Sequence, residues 1–157
     1  MYLTQDYKDI IVLFNKHNVQ FIIADAYAMS KVGYSRSTYD IDLWINKTRK
    51  NAINIFNALD EFGVPFKIDP DDFLAPNSVL QIGIEPNRID ILTDIDGLTF
   101  DEAWKNKELV EFDEIKAFSL EIHDIIKNKT ASNRAKDKLD LVQLKELVKS
   151  SGQVAPK

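Results

Sequence analysis

Apolar residues recur along this chain with two periods, and the switches between them predict its elements. Behind Thr4 as an N-cap, Tyr7, Ile10, Ile11 and Phe14 share one face of a helix over residues 4–18. The run over residues 20–24 reads as a short buried strand, and a short helix over about 26–33 ends near Gly33. Residues 40–45 alternate as a strand does, with Ile41, Leu43 and Ile45 on one face and Asp40, Asp42 and Trp44 on the other. An amphipathic helix over 48–62 turns Ala52, Ile55, Phe56, Leu59 and Phe62 inward and stops at Gly63 and Pro65.

The middle of the chain is strand-rich. Val79 to Glu85 and Arg88 to Leu92, separated by Pro86-Asn87, predict an antiparallel hairpin. Thr99 and Glu102 form a capping-box pattern that starts a short helix carrying Trp104. A further edge hairpin is expected over 108–118, then a helix capped by Ser119 and running to about Lys129, then a last helix over about 134–149. From Ser150 the chain is expected to fray, leaving 151–157 as a disordered tail. With no repeat, linker or low-complexity stretch, the pattern predicts a single α+β domain over residues 1–150, a small mixed sheet flanked by helices.

Composition narrows the picture. Among 157 residues 45% are hydrophobic, with nine Phe, five Tyr and two Trp, which fills one core and excludes wholesale disorder. The longest apolar runs, Ile10 to Phe14 and Phe21 to Ala24, fall far short of the roughly 20 residues of a membrane span. The first residues carry no basic and apolar leader, so a cytoplasmic protein without membrane attachment is expected. The absence of Cys removes disulfides, thiolate nucleophiles and Cys-based zinc sites. A net charge of −5 argues against broad capture of nucleic acid. The charge is segregated: Lys127, Lys129, Arg134, Lys136 and Lys138 stand together, while Glu85, Asp90, Asp94, Asp96, Asp101 and Glu102 crowd another stretch. Such an arrangement can hold metal ions and phosphates together, although two ordinary solvated surfaces account for charge alone.

The most informative chemistry is Asp40-Ile41-Asp42. Carboxylates at i and i+2 of a strand leave the same face with Cα atoms about 7 Å apart, so they can share a hard divalent ion. Taken alone, this pattern serves solubility as readily as function. Asp90 lies in a matching context between Ile89 and Ile91. If the two strands are neighbours, the three acids form a cluster able to bind two metals for in-line phosphoryl transfer. The strand–turn–helix junction after Ala24 offers backbone N–H groups to phosphate oxygens. Trp44 either stacks a base or packs under a helix, while His17 and His123 read as surface positions.

These residues carry a resemblance. Phe21 to Met29, leading into Gly33-Tyr-Ser-Arg-Ser-Thr-Tyr-Asp-Ile-Asp-Leu-Trp-Ile45, resembles the nucleotidyltransferase superfamily that includes polymerase beta. It is most similar to the minimal bacterial nucleotidyltransferases related to AbiEii-type toxins, whose signature is Gly followed by Gly or Ser, then about ten residues, then Asp-x-Asp. Arg88-Ile-Asp-Ile-Leu92 resembles the strand of the third carboxylate, and Lys129-x4-Arg134-x-Lys136-Asp137-x2-Asp140 resembles the family's helical motif. The likeness spans about residues 20–148. It implies transfer of NMP from an NTP to an acceptor (a small molecule, a tRNA end or a protein) with Mg²⁺ or Mn²⁺ held by Asp40, Asp42 and Asp90. Asp40 and Asp42 would ligate the triphosphate metal, and Asp90 would help ligate a second and activate the acceptor hydroxyl. Lys129, Arg134 and Lys136 would neutralise the phosphates, the competing reading of each being an exposed helix face.

One departure is specific to this chain. Asp25-Ala26 stands where the family has Gly followed by Gly or Ser, and glycine there lets the backbone approach the triphosphate. Asp25 either points away from the phosphates, ligates metal or weakens NTP binding. The alternative function is therefore a degenerate binding module of the same fold, such as a toxin–antitoxin component with a partner protein.

Overall fold

A computed structural model describes residues 1–152. Helix α1 (Gln5–Lys16) starts at Thr4, whose side chain accepts from the Tyr7 N–H, and buries Tyr7, Ile10, Ile11 and Phe14. Strand β1 (Phe21–Ala24) is buried along its whole length, and α2 (Asp25–Val32) follows without a break. Gly33 closes α2 at a φ of 112°, a left-handed conformation that glycine adopts without cost. Strand β2 (Asp40–Ile45), helix α3 (Arg49–Phe62), strands β3 (Val79–Ile82) and β4 (Arg88–Leu92), and α4 (Phe100–Asn106) come next. The chain continues through β5 (Glu108–Phe112), β6 (Ile115–Ser119), α5 (Ile122–Ala131) and α6 (Ala135–Ser150).

The strands form one six-stranded sheet in the order β3-β4-β2-β1-β6-β5. Pairs β2–β4 and β1–β6 are parallel and the others antiparallel, so the sheet is mixed as expected. Strands β1, β2 and β4 occupy its middle and bring Ile22, Ile23, Ile41, Leu43, Ile89 and Ile91 into the core. Helix α1 packs against α3, and α5 against α6. Trp44 settles under a helix, its ring edge-on to Phe100 of α4 at 5.2 Å between centroids. No helix among the described residues is long and apolar enough to cross a membrane.

Two expectations need correction. Ser119 does not cap a helix: it ends β6, buried at 1% exposure, and Glu121 caps α5 instead, accepting from the His123 and Asp124 N–H groups. A carboxylate two residues closer to the helix outcompetes a serine still paired in the sheet. The expected hairpin over 108–118 is present at one end of the sheet, with β6 against β1 and β5 as the outer strand. A 3₁₀ turn at Pro70–Phe73, capped reciprocally by Asp69 and Asp72, buries Phe73 where no element was expected. The final helix extends through Ser150, with Ser151 and Gly152 in a turn; the rest of the expected tail, 153–157, lies outside the described residues.

Candidate functional site

Parallel pairing of β2 with β4 sets the site. The register places Asp40 beside Arg88 and Asp42 beside Asp90. Because Ile41, Leu43, Ile89 and Ile91 turn into the core, alternation sends the three aspartates to the opposite face together. Oxygens of Asp40, Asp42 and Asp90 lie within 4.8 Å of one another. Asp42 Oδ1 is buried with no hydrogen-bond partner. Burial, reinforced by the nearby charges of Asp25, Asp40 and Asp90, pushes the Asp42 carboxyl well above the usual carboxylate range.

Arg88 lies across this cluster. Its Nε donates to Asp90 Oδ1 at 2.8 Å, and its Nη2 to Asp40 Oδ2 at 2.9 Å and Asp90 Oδ2 at 3.1 Å. Its remaining Nη1 donates to Glu85 at 3.1 Å. The Tyr7 hydroxyl donates to the Arg88 carbonyl at 3.1 Å, tying α1 to the start of β4. Burial raises the Asp90 carboxyl in spite of the opposing bond from Arg88. This donor set suits a hard divalent ion: three carboxylates converge, and one of them, Asp42, carries a buried oxygen with no hydrogen-bond partner.

The second wall comes from α2, α5 and α6. Asp25 opens α2 at a φ of 54°, left-handed backbone that favours glycine and that aspartate tolerates better than most residues. No side chain caps α2. The Asp25 carboxylate accepts from Lys129 Nζ and, at 3.3 Å, from Arg36 Nη2, with Lys136 Nζ 3.7 Å away. Burial would raise this carboxyl, but Lys129, Lys136 and Arg36 outweigh it and lower the pKa. Lys129 is 2% exposed and also pairs with Asp137 at 2.9 Å and Asp140 at 3.4 Å. Asp137 further accepts from Ser132 and from Arg134 Nε at 2.8 Å, and these bonds with Lys129 overcome burial to hold its pKa down to about 2. Arg36 clamps Asp140 through Nε at 2.8 Å and Nη2 at 3.1 Å. The oxygens of Asp25, Asp137 and Asp140 thus converge on a cation the chain already supplies.

A cleft of about 530 Å³ separates the two walls. Asp25, Asp40, Asp42, Asp90, Lys129, Arg134 and Lys136 all line it, so seven of the eight residues singled out from the sequence meet in one place. Ala26 does not line it; at 3% exposure it lies in the core beneath the turn. Lys136 and Arg134 stand at the mouth, with side chains 53% and 65% exposed, whereas Lys129 is buried rather than on a solvated helix face. Arg88 and Arg36 escaped the sequence reading. Arg88 had a signal, since a residue two before Asp90 on one strand shares its face; Arg36 lies in the irregular stretch before β2 and had none.

No protein-family model matches the chain, and no curated protein sequence does either. Among solved structures, a Thermotoga maritima protein described as a "putative nucleotidyltransferase" superposes with a TM-score of 0.57 at 18% identity, over 92% of this chain and 88% of that one. A likeness at that identity speaks for backbone architecture, and with the mixed six-stranded sheet and its flanking helices it gives this chain a nucleotidyltransferase-like fold.

Proposed function

We propose that the cleft is the active site of a metal-dependent nucleotidyltransferase, within one domain spanning residues 1–150 and acting in the cytoplasm. The observation that carries the reading is the register of β2 on β4, which brings Asp40, Asp42 and Asp90 within 4.8 Å and leaves Asp42 Oδ1 buried without a partner. Asp40, Asp42 and Asp90 would hold Mg²⁺ or Mn²⁺, which when bound screens the triphosphate and polarises the α-phosphorus. Asp90 takes the proton of the acceptor hydroxyl. The acceptor oxygen then bonds to the α-phosphorus as the bond to the β-phosphate oxygen breaks, and pyrophosphate leaves. Lys136 and Arg134 at the mouth meet the departing charge. The resemblance of the sequence motifs supports a kinship with the AbiEii-related enzymes.

A thermal-shift titration tests this with each of the four NTPs, in Mg²⁺, in Mn²⁺ and in EDTA. The expected result is a metal-dependent shift in the native chain that vanishes in Asp42→Asn. A shift that persists in EDTA, or that Asp42→Asn leaves intact, refutes the assignment.

One observation favours a second reading, a binding module that has given up transfer. Asp25 brings a carboxylate to the turn and pairs with Lys129 and Arg36. Absence of any nucleotide shift together with a stably copurifying partner, such as the other half of a toxin–antitoxin pair, would select this reading; NTP turnover by the isolated chain would eliminate it.

A further inference from the structure

Four cations of the second wall face one small volume. Lys129 forms its floor, with a side chain 1% exposed, and Lys136 and Arg134 its open rim, while Arg36, outside the cleft lining, reaches it through Asp25. Three carboxylates answer them: Asp137 and Asp140, at most 1% exposed, and Asp25. The three differ in kind. Asp137 and Asp140 belong to α6 and are locked by Ser132, Arg134 and Arg36, so they form part of the frame. Asp25 instead lines the cleft, comes from the opposite side on α2, and reaches Lys129, Arg36 and Lys136 at once. Its carboxylate accepts from Lys129 and Arg36, which lie outside its own helix.

We propose that these cations form an oxyanion seat and that the Asp25 carboxylate is its built-in occupant. A carboxylate presents two oxygens to Lys129, Arg36 and Lys136, as a phosphate group presents its oxygens to such a set. With Asp25 in place, four cations meet three carboxylates; without it, four meet two, and the seat has charge to spare for an incoming phosphate. Lys129 keeps Asp137 and Asp140 as partners when Asp25 is gone, so vacating the seat does not strand a buried ammonium. The left-handed backbone at position 25 accepts Gly without strain and Asn nearly so, which makes both replacements compatible with the fold. The seat lies on the cation wall and needs no metal, so it stands or falls separately from the transferase reading.

The test is isothermal titration of the full chain with inorganic tripolyphosphate in EDTA, free of divalent ions. The native protein, Asp25→Asn and Asp25→Gly are compared, each checked for folding by circular dichroism. The expected result is binding at least tenfold tighter in both variants than in the native chain. Adding Lys136→Met to Asp25→Asn is expected to remove most of that gain, because Lys136 is the rim cation that Asp25 faces. Should only one variant fold, its affinity alone decides. Equal affinity in native and variant chains overturns the proposal, and so does a gain that Lys136→Met leaves whole. A metal-dependent nucleotide shift in the native chain bears on the other proposal only.

Discussion

Replacing Asp42 by Asn is expected to stabilise the metal-free protein while abolishing its response to Mg²⁺-nucleotide. Three carboxylates lie within 4.8 Å. At that distance and an effective dielectric of about 20, each ionised pair repels by about 3.5 kcal/mol. Arg88 offsets the charge on Asp40 and Asp90 at 2.8–3.1 Å, but no donor reaches Asp42 Oδ1. The uncompensated repulsion therefore falls on Asp42, and Asn at that position removes the charge and adds an N–H₂ donor that its acidic neighbours can accept. Allowing for relaxation and solvent screening, the gain should be about 2 kcal/mol at pH 8. At about 2–4 °C per kcal/mol for a chain of this size, the midpoint should rise by about 4–8 °C. The pH dependence has a fixed sign. The folded Asp42 carboxyl titrates above its unfolded value, so the native state binds the extra proton between the two, and wild-type stability falls as pH rises through the folded pKa. The advantage of Asn should accordingly shrink toward zero below about pH 4, where Asp42 is protonated in both states. Thermal melts of both proteins in EDTA from pH 4 to pH 8 provide the assay. A variant less stable than wild type at pH 8, or an advantage that grows on acidification, would refute the account of Asp42 as an unpaired, crowded carboxylate.

Other perturbations separate the two walls. Lys129→Met removes a buried ammonium from among Asp25, Asp137 and Asp140, and urea unfolding at pH 7 should show a loss of about 3–5 kcal/mol; a loss under about 1 kcal/mol would mean that the network is slack. Since Asp137 titrates at about 2 when folded, its share of stability is present above about pH 4 and drains as pH falls toward 2, so the Lys129→Met deficit should narrow over that window. Arg88→Gln leaves Asp40 and Asp90 without their cation and should cost about 1–3 kcal/mol in EDTA. Millimolar Mg²⁺ without nucleotide should then raise the melting temperature of Arg88→Gln more than that of wild type, and an equal response would show that Arg88 and the metal do not address the same carboxylates. Asn51→Ala tests the fold away from the cleft: its amide joins Gln20 and Asn46 through three bonds of 2.7–3.0 Å, so chemical denaturation should register a loss of about 1–3 kcal/mol with nucleotide response intact.

Much of this architecture was legible because it rests on local periodicity. Alternation in Asp40–Ile45 assigned Ile41 and Leu43 to the core and the acids to the opposite face, and burial follows that assignment. Thr4, Thr48 and Thr99 cap their helices from the side chain, and Gly33 and Gly63 close theirs with positive φ. Ser119 misled because its cap pattern competes with a strand pairing that only the whole sheet decides. Pro70–Phe73 was missed for the opposite reason, since four residues are too few to show a period.

The pairing of β2 with β4 could only be stated as a condition, because 48 positions separate the registered partners Asp40 and Arg88 and no local signal spans that gap. Once it is given, the acids explain each other. Evolution of a stable sheet alone would not stack Asp40, Asp42 and Asp90 over a buried face, since each added charge raises the cost of the next, and Arg88 relieves only two of them. On the cation wall the imbalance runs the other way, with Lys136 and Arg134 reaching solvent at the rim. Two walls of opposite excess across about 530 Å³ are poorly satisfied by each other, because the cleft between them is open. A ligand that carries cations on one side and phosphate oxygens on the other would satisfy both. Asp25 goes part of the way from within the chain, which is why its removal and the removal of Asp42 should move ligand binding in opposite directions.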